Sequence, residues 1–442
     1  MSETHSRFAT IAIVDTNGLL RGQKVRGADI PGLMGRGPGM SPVQLALDPT
    51  DAIMDMPGVT DDSADFHDAD LAVDSSSLRH IPFERDEDNP LYLAQFTDEA
   101  ADFCPRSILR RVLDRARDMG LNPKVGVELE FTLFDETPGS LAAKGFDGLE
   151  TATAHPSHDL IIYQAAQADF YAEVADMCGP LGIGLGKMHE EIGGGFMEAC
   201  IAATSALEAA DQAALFKNFI RVLAMQRGQT VCFMPRWSEE ADSQSSHIHL
   251  SLTDADDLPL FWDANAPGKM SDRFRHFIGG MQRYLPAMML VFAPTVNSWR
   301  RFAEGTFAPP ALSWGIENRT TAFRVVGHGP RSLRVENRLP CSDANPYLTL
   351  AATLAAGLAG IADEIAPTEP TCGNGYVPGV ATGPTLPDGM GAAIDALRAS
   401  DFAAEWLSSR FVETFTATRT HQMQQFVGKT LIDERRRFFE LG

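Results

Sequence analysis

A chain of 442 residues, 44% hydrophobic and 22% charged, is long enough to bury a sizeable core and to form two or three domains. Its formal net charge of -22 disfavours nucleic acid and anionic membrane as partners, since both repel an acidic surface. The six cysteines, Cys104, Cys178, Cys200, Cys232, Cys341 and Cys372, form no Cys-x-x-Cys pair, which points to free thiols in a reducing cytoplasm.

Residues 1–7 hold neither the basic nor the apolar region of an export signal, so no secretion is expected. Residues 8–15 read as a strand, Asn17 and Gly18 as a hairpin turn, and residues 19–25 as the returning strand of a small β-containing unit. Between Arg36 and Arg79 no Lys or Arg occurs, while Asp recurs at Asp48, Asp51, Asp55, Asp61, Asp62, Asp65, Asp68, Asp70 and Asp74. Such a run suits solvated loops, or alternatively a surface that draws in a cationic substrate. Ile108, Val112, Leu113 and Ala116 recur at helical spacing, which predicts a helix over 105–119 closed by Gly120. A domain boundary is placed just before it, near Phe103, dividing the chain into 1–103 and 104–442.

Residues 125–134 form an apolar, β-rich run carrying Glu128 and Glu130. Residues i and i+2 of a strand face the same side, so the two carboxylates stand together and repel unless water or a cation lies between them. A polar loop is expected over about 136–158, with His155 and His158 solvated rather than metal-binding, and then a helix from about 165 to 178. Glu191 and Glu198 flank Gly193, Gly194 and Gly195; three consecutive glycines forbid a stable helix and predict a tight loop. The spacing of Gly182, Gly184 and Gly186 fails the dinucleotide fingerprint. A long helix is expected over 206–228 and an apolar strand over 230–235.

The two-residue pattern returns in His247, His249 and Ser251, and again in Arg334, Glu336 and Arg338. Three such strands interleaved with helices read as the inner wall of a curved sheet around a charged site. Residues 347–361 are apolar but too short to span a bilayer, and read as a buried helix. Around the Pro-punctuated stretch 307–310, segments near Arg300 and Arg301 and from Arg319 to Arg324 concentrate arginine, whose planar fork suits carboxylate and phosphate. Residues 366–390 carry Pro367, Pro370, Pro378, Pro384 and Pro387 and read as a long loop covering the site or a neighbouring subunit. From about 392 onward the spacing is helical.

The candidate metal ligands are thus Glu128, Glu130, Glu191, Glu198 and Glu336, with His247 as the strong nitrogen donor. Carboxylates and one imidazole without thiolate favour Mg²⁺ or Mn²⁺ over zinc, and six groups exceed what one such ion takes from protein, so two or more ions are implied. Metals ringed by arginine suit phosphoryl transfer from a nucleotide. The chain has no Walker motif, which excludes a P-loop.

Taken in order, these segments resemble the glutamine synthetase superfamily over nearly the whole chain. The resemblance rests on Glu128 and Glu130; on Glu191 through Glu198; on Phe233, Met234 and Pro235 followed by His247 and His249; on Asn318 and Arg319; and on Arg334 through Arg338 followed by Asn345, Pro346, Tyr347 and Leu348. Agreement of all five by chance is negligible. The resemblance implies an α+β protein: a small N-terminal β-grasp domain, and a large catalytic domain with a barrel-like, curved antiparallel sheet flanked by helices. It implies a homo-oligomer of stacked rings, a dodecamer by resemblance, with active sites between subunits. It assigns one metal to Glu130, Glu191 and Glu198 beside the reacting carboxylate, and a second to Glu128, His247 and Glu336 on the ATP phosphates. His249, Ser251 and Arg324 are implied on the nucleotide, Arg319 on the transferred phosphoryl group, and Arg301 and Arg338 on the carboxylates of L-glutamate. Arg319, Glu191 and Arg301 would be the catalytic set.

The implied reaction phosphorylates the γ-carboxylate of L-glutamate with ATP, after which an amine attacks the acyl phosphate. Two departures bear on the amine. Where glutamine synthetase itself has a flap glutamate this chain has Phe307 before Ala308 and Pro309, and around Gly39 to Pro42 it lacks the Asp-Gly-Ser-Ser pattern that helps bind ammonium. Both changes resemble the branch that ligates glutamate to alkylamines, polyamines or ethanolamine, and Phe307 is expected to contact the amine. Ser243 and Ser245 replace two glycines usual in that branch, and no tyrosine follows Tyr376, so the tyrosine used for adenylylation in many bacterial glutamine synthetases is expected to be absent. The alternatives are a true glutamine synthetase, in which another carboxylate such as Glu304 replaces the flap glutamate, and a non-catalytic structural or regulatory relative, which the intact ligand set disfavours.

Overall fold

The computed structural model describes residues 7–84, 89–156, 158–303 and 305–442. Residues 1–6, most of the stretch on which no export signal is expected, and Glu304 lie outside the described residues. Among the described residues the strands form two sheets.

The first sheet belongs to the N-terminal unit. Its strands are β1 (Phe8–Val14), β2 (Leu20–Arg26), β3 (Leu71–Val73), β4 (Arg79–His80) and β5 (Pro90–Phe96), in the order β2-β1-β5-β3 with β4 also paired to β5. The β1–β2 hairpin is antiparallel, whereas β1 and β5 run parallel. The Asp15 carboxylate ties the connecting turn by accepting from the amides of Asn17 and Leu19. The turn then docks on the larger unit: Asn218 donates to the Gly18 carbonyl and Asn345 to that of Asp15. The acidic stretch after Arg36 is mostly loop, as its lack of apolar periodicity predicts.

The second sheet carries the two-residue motifs. It comprises β6 (Asn122–Phe134), β7 (Leu185–Glu190), β8 (Phe196–Ser205), β9 (Thr230–Cys232), β10 (Ile248–Thr253), β11 (Trp314–Ile316), β12 (Phe323–Val326) and β13 (Arg334–Asn337). Their order is β11-β12-β13-β10-β6-β8-β7, with β9 on the far end of β6. The sheet departs from expectation in two ways. Its path is open, because β11 and β7 do not pair, so it closes no barrel; and β11 runs parallel to β12, so it is mixed rather than wholly antiparallel.

Two long helices, Ala206–Gln226 and Pro346–Ala362, supply the buried floor of the larger unit. The second is almost wholly buried, which explains its apolar run, and no helix is long and apolar enough to cross a membrane among the described residues. It packs so closely on the helix Asp272–Tyr284 that a methyl on Gly280 would stand 2.1 Å from the Ala356 carbonyl oxygen. Three other elements differ from the sequence reading. A short helix, Pro138–Lys144, interrupts the expected loop, capped by Thr137 and Ser140 in a reciprocal box. The helix expected from 165 is two pieces, Ile161–Ala166 and Ala168–Cys178, and the strand expected over 230–235 ends at Cys232.

Candidate active site

The longest strand of the sheet, β6, pairs with β10 on one side and β8 on the other, so its carboxylates face side chains from both. Glu130 lies directly across from Glu198, and His249 lies across from Glu336, which in turn lies across from Arg324. The amides of Glu128 and Glu130 donate to the carbonyls of His247 and Ser245, extending the ladder past β10 and bringing His247 onto the same face. Glu191 and Glu198 reach that face around the glycine loop. Gly195 adopts φ 64°, and a side chain there would meet the Leu133 carbonyl oxygen at 2.3 Å, so the loop can lie against β6 only as glycine.

These side chains bound a cavity of about 600 Å³. Its lining holds Glu128, Glu130, Asp159, Glu191, Glu198, Asp242 and Glu336 against Lys187, Arg319, Arg324 and Arg338, an excess of carboxylates over permanent cations. Glu128 accepts from His249 Nε2 at 2.8 Å and pairs with His247 Nδ1 at 3.2 Å. Because Arg334 Nε donates to His249 Nδ1 at 3.1 Å, the His249 proton sits on Nε2. Glu336 is held by Arg338 at 2.5 Å and Arg324 at 3.0 Å.

The electrostatics divide the carboxylates. Burial works against the charge of Glu336, but Arg338 foremost, then His247 and His249, hold its carboxyl down to about 2. His247 and His249 likewise hold Glu128 well below the usual range against its burial. Glu198 is pushed up to about 9, by burial first and then by Glu128 and Glu130. Such crowding of acids in a buried cleft is relieved by a cation.

The donor sets fit divalent ions of the hard class. Glu128, His247 and Glu336 offer ligand atoms within 4.8 Å of one another, as do Glu130, Glu198 and His247, and also His189, Glu191 and Glu198. The second expected ligand set is therefore assembled as a group. The first is not drawn together as one compact triad: Glu198 joins Glu130 on one side and Glu191 on the other. His189 Nε2 stands 3.2 Å from Glu191 Oε1, and His158 Nδ1 stands 3.4 Å from Glu191 Oε2.

His158, read as a solvated loop residue, thus lines the cleft, and His189 was not singled out at all. The signal was present: Lys187, His189 and Glu191 alternate like the other motifs.

The remaining residues fall in three places. Arg319, Arg324, Arg338 and Phe307 line the cleft, and the buried Nε of both Arg324 and Arg338 has no partner among the described residues. His249 stands behind Glu128 without reaching the lining, and Ser251 lies two residues further along β10, paired with Lys124. Arg301 is not brought to the lining; its buried guanidinium donates to the main-chain carbonyls of Arg338 and Leu339 at 2.9 Å, bracing the end of β13. Phe307 is 63% exposed with φ 56°, a left-handed conformation rare outside glycine. The preceding Thr306 anchors it, its hydroxyl donating to the Arg301 and Ala303 carbonyls and its own carbonyl accepting from Ser243 Oγ at 2.8 Å.

Comparison with known proteins supplies the family. The glutamine synthetase catalytic domain matches residues 102–438. The chain is 32% identical to type-1 glutamine synthetase 2 of Dictyostelium discoideum over 99% of its own length and 84% of that protein. It is 36% identical to the γ-glutamylethanolamide synthetase of Streptomyces coelicolor over 71% of its length and 67% of that protein. The solved structure of ligand-free GmaS superposes with a TM-score of 0.82 at 27% identity, covering 98% of this chain and 97% of that one.

Proposed function

We infer the reaction from one premise: this chain belongs to the glutamine synthetase family. It is an ATP-dependent carbon–nitrogen ligase that joins the γ-carboxylate of L-glutamate to an amine, giving a γ-glutamyl amide. The observation that carries this reading is the row of carboxylates and imidazoles across β6, β8, β10 and β13, closed by two arginines whose Nε–H groups have no partner among the described residues. Buried donors of that kind are satisfied by carboxylate or phosphate oxygens.

In this reading one divalent ion would be held by Glu128, His247 and Glu336, and another by Glu130, Glu191 and Glu198. When bound, Mg²⁺ or Mn²⁺ neutralises charge on the ATP phosphates and on the γ-carboxylate. Arg324 and His249 orient the nucleotide phosphates, with Ser251 further along the same strand. Arg319 stabilises the transferred phosphoryl group, and Arg338 binds glutamate, with Arg301 acting through it by fixing the backbone at 338–339. The γ-carboxylate oxygen attacks the γ-phosphorus of ATP and ADP leaves. The ammonium form gives one proton to a carboxylate of the cleft, the free amine nitrogen attacks the acyl carbon, and phosphate departs taking the second proton that the new amide nitrogen sheds. The cleft's surplus of carboxylates draws in the ammonium form of the amine. The boundary near Phe103 separates the N-terminal unit from the catalytic one, and rings of this chain acting in the cytoplasm complete the proposal.

Glutamate carrying ¹⁸O in its γ-carboxylate tests the reaction. One label should pass to the released phosphate, and mass spectrometry should find the γ-glutamyl amide of the amine supplied. Unlabelled phosphate would remove the acyl-phosphate step. Glutamine as the sole product would favour the ammonium-using reading, which the Dictyostelium relative's name supports.

A further inference from the structure

Beside the acidic cleft lies a second cavity of about 890 Å³, and both are lined by Phe307 and Tyr376. The two rings meet edge to face, 6.3 Å apart at 84°, and form a partition between the spaces. Trp299, Phe302, Pro310 and Leu386 contribute further apolar wall. Among the described residues no Lys, Arg or His lines this cavity, and Asp388 is its one carboxylate. Nothing in the reaction described above occupies it.

We propose that this cavity receives the organic substituent of the acceptor amine, and that the acceptor is a primary amine bearing an apolar chain or ring of several carbons. The inference rests on the amide-forming reading above and narrows its substrate class. The nitrogen must meet the γ-carbon inside the cleft, so its substituent has to leave past the cleft's wall. At Phe307 and Tyr376 that wall is aromatic, with a larger apolar space behind it. Ammonium has no atom to place there. A phosphate or carboxylate would find no cation among the lining residues and would be stripped of water without compensation.

The nucleotide is directed elsewhere. The flap that carries Phe307 is fastened to Ser243, before β10 begins, whereas His249 and Ser251, the residues of β10 read as serving the nucleotide, lie further along that strand. The flap and the apolar cavity behind Phe307 therefore lie on the side from which β10 enters, and the residues read as serving the nucleotide follow further along it.

Burial of each methylene corresponds to about fourfold in kcat/KM. With full-length chain, glutamate, ATP and Mn²⁺, kcat/KM should climb about fourfold per carbon from methylamine through butylamine, and hexylamine should exceed 1,6-diaminohexane. Leu386→Arg puts a cation into the cavity away from the reacting groups. It should lower kcat/KM for hexylamine at least tenfold while leaving methylamine turnover and ADP affinity within about twofold; Leu386→Gln, closer in volume, gives the same comparison should the arginine variant not fold.

A flat series, a preference for the diamine, or a loss equal for methylamine and hexylamine would overturn the proposal. So would a Leu386 effect confined to ADP binding, which would assign the cavity to the nucleotide. These outcomes are separable from failure of the parent reading: equal rates to several γ-glutamyl amides remove only the cavity's role, whereas glutamine as sole product removes the amide-forming reading itself.

Discussion

Two kinds of residue carry the proposed chemistry, and each makes its own prediction. Glu130 faces Glu198 across β6 and β8 and accepts the Ser245 amide at 2.5 Å. Glu130→Ala should cut turnover by at least about a hundredfold, because an anion that positions charge in the site is lost, while the circular dichroism spectrum is unchanged. Near-normal turnover would show that the strand face is not the site. Phe307 is held in a left-handed conformation by its neighbours, a local cost of order 1 kcal/mol. Phe307→Glu should lower the ratio of amine to ammonium kcat/KM about tenfold or more, by removing apolar contact and adding a proton acceptor; an unchanged ratio would detach Phe307 from selectivity. The carboxylates were legible from sequence because i, i+2 spacing on a strand decides direction by itself. His189 and His158 were not, since one preceded the more conspicuous Glu191 and the other lies in a loop without periodicity, and only the fold brings both to Glu191.

At the scale of elements, Arg106 joins the two parts of the chain. From the helix Pro105–Asp118 it donates to Asp211 of the helix Ala206–Gln226 at 2.9 and 3.1 Å, and to Asp74 after β3 at 2.8 Å, while Tyr347 also bonds Asp211 at 2.6 Å. Arg106 and Asp211 are both buried. Arg106→Met should therefore destabilise the fold by about 3–5 kcal/mol in urea unfolding, since it strands a buried carboxylate; a loss under about 1 kcal/mol would show that water takes over. Asp74 gives the pH dependence. The Ser76 hydroxyl foremost, then Arg106, draw its carboxyl down to about 2 from 3.8 against partial burial. The folded value lies below the unfolded one, so this stabilisation is full above about pH 4 and is lost as pH falls from about 4 to about 2. Asp74→Asn should flatten the acid limb of the stability curve in that window. The helix at 105 was legible through its apolar spacing but this junction was not, because partners 32 to 136 residues apart leave no local pattern. The helix Pro138–Lys144 escaped for the opposite reason: seven residues are too few for periodicity to speak, and only its capping residues marked it.

For the whole molecule, the order of motifs along the chain conveyed the family and the mixture of sheet and helices, whereas the open edges of the large sheet and its parallel β11–β12 pair did not follow from strand patterns, which carry no information on pairing partners. Assembly is a separate expectation. Light scattering should find a large homo-oligomer carrying the activity, and a fully active monomer would contradict the ring assembly. The central claim is that the acceptor is an organic amine. Competition between ammonium and a primary alkylamine at equal concentration, with glutamate, ATP and Mn²⁺ saturating and both products quantified by mass, tests it most directly: the account predicts that the γ-glutamyl alkylamide exceeds glutamine at least tenfold, and an excess of glutamine would contradict it.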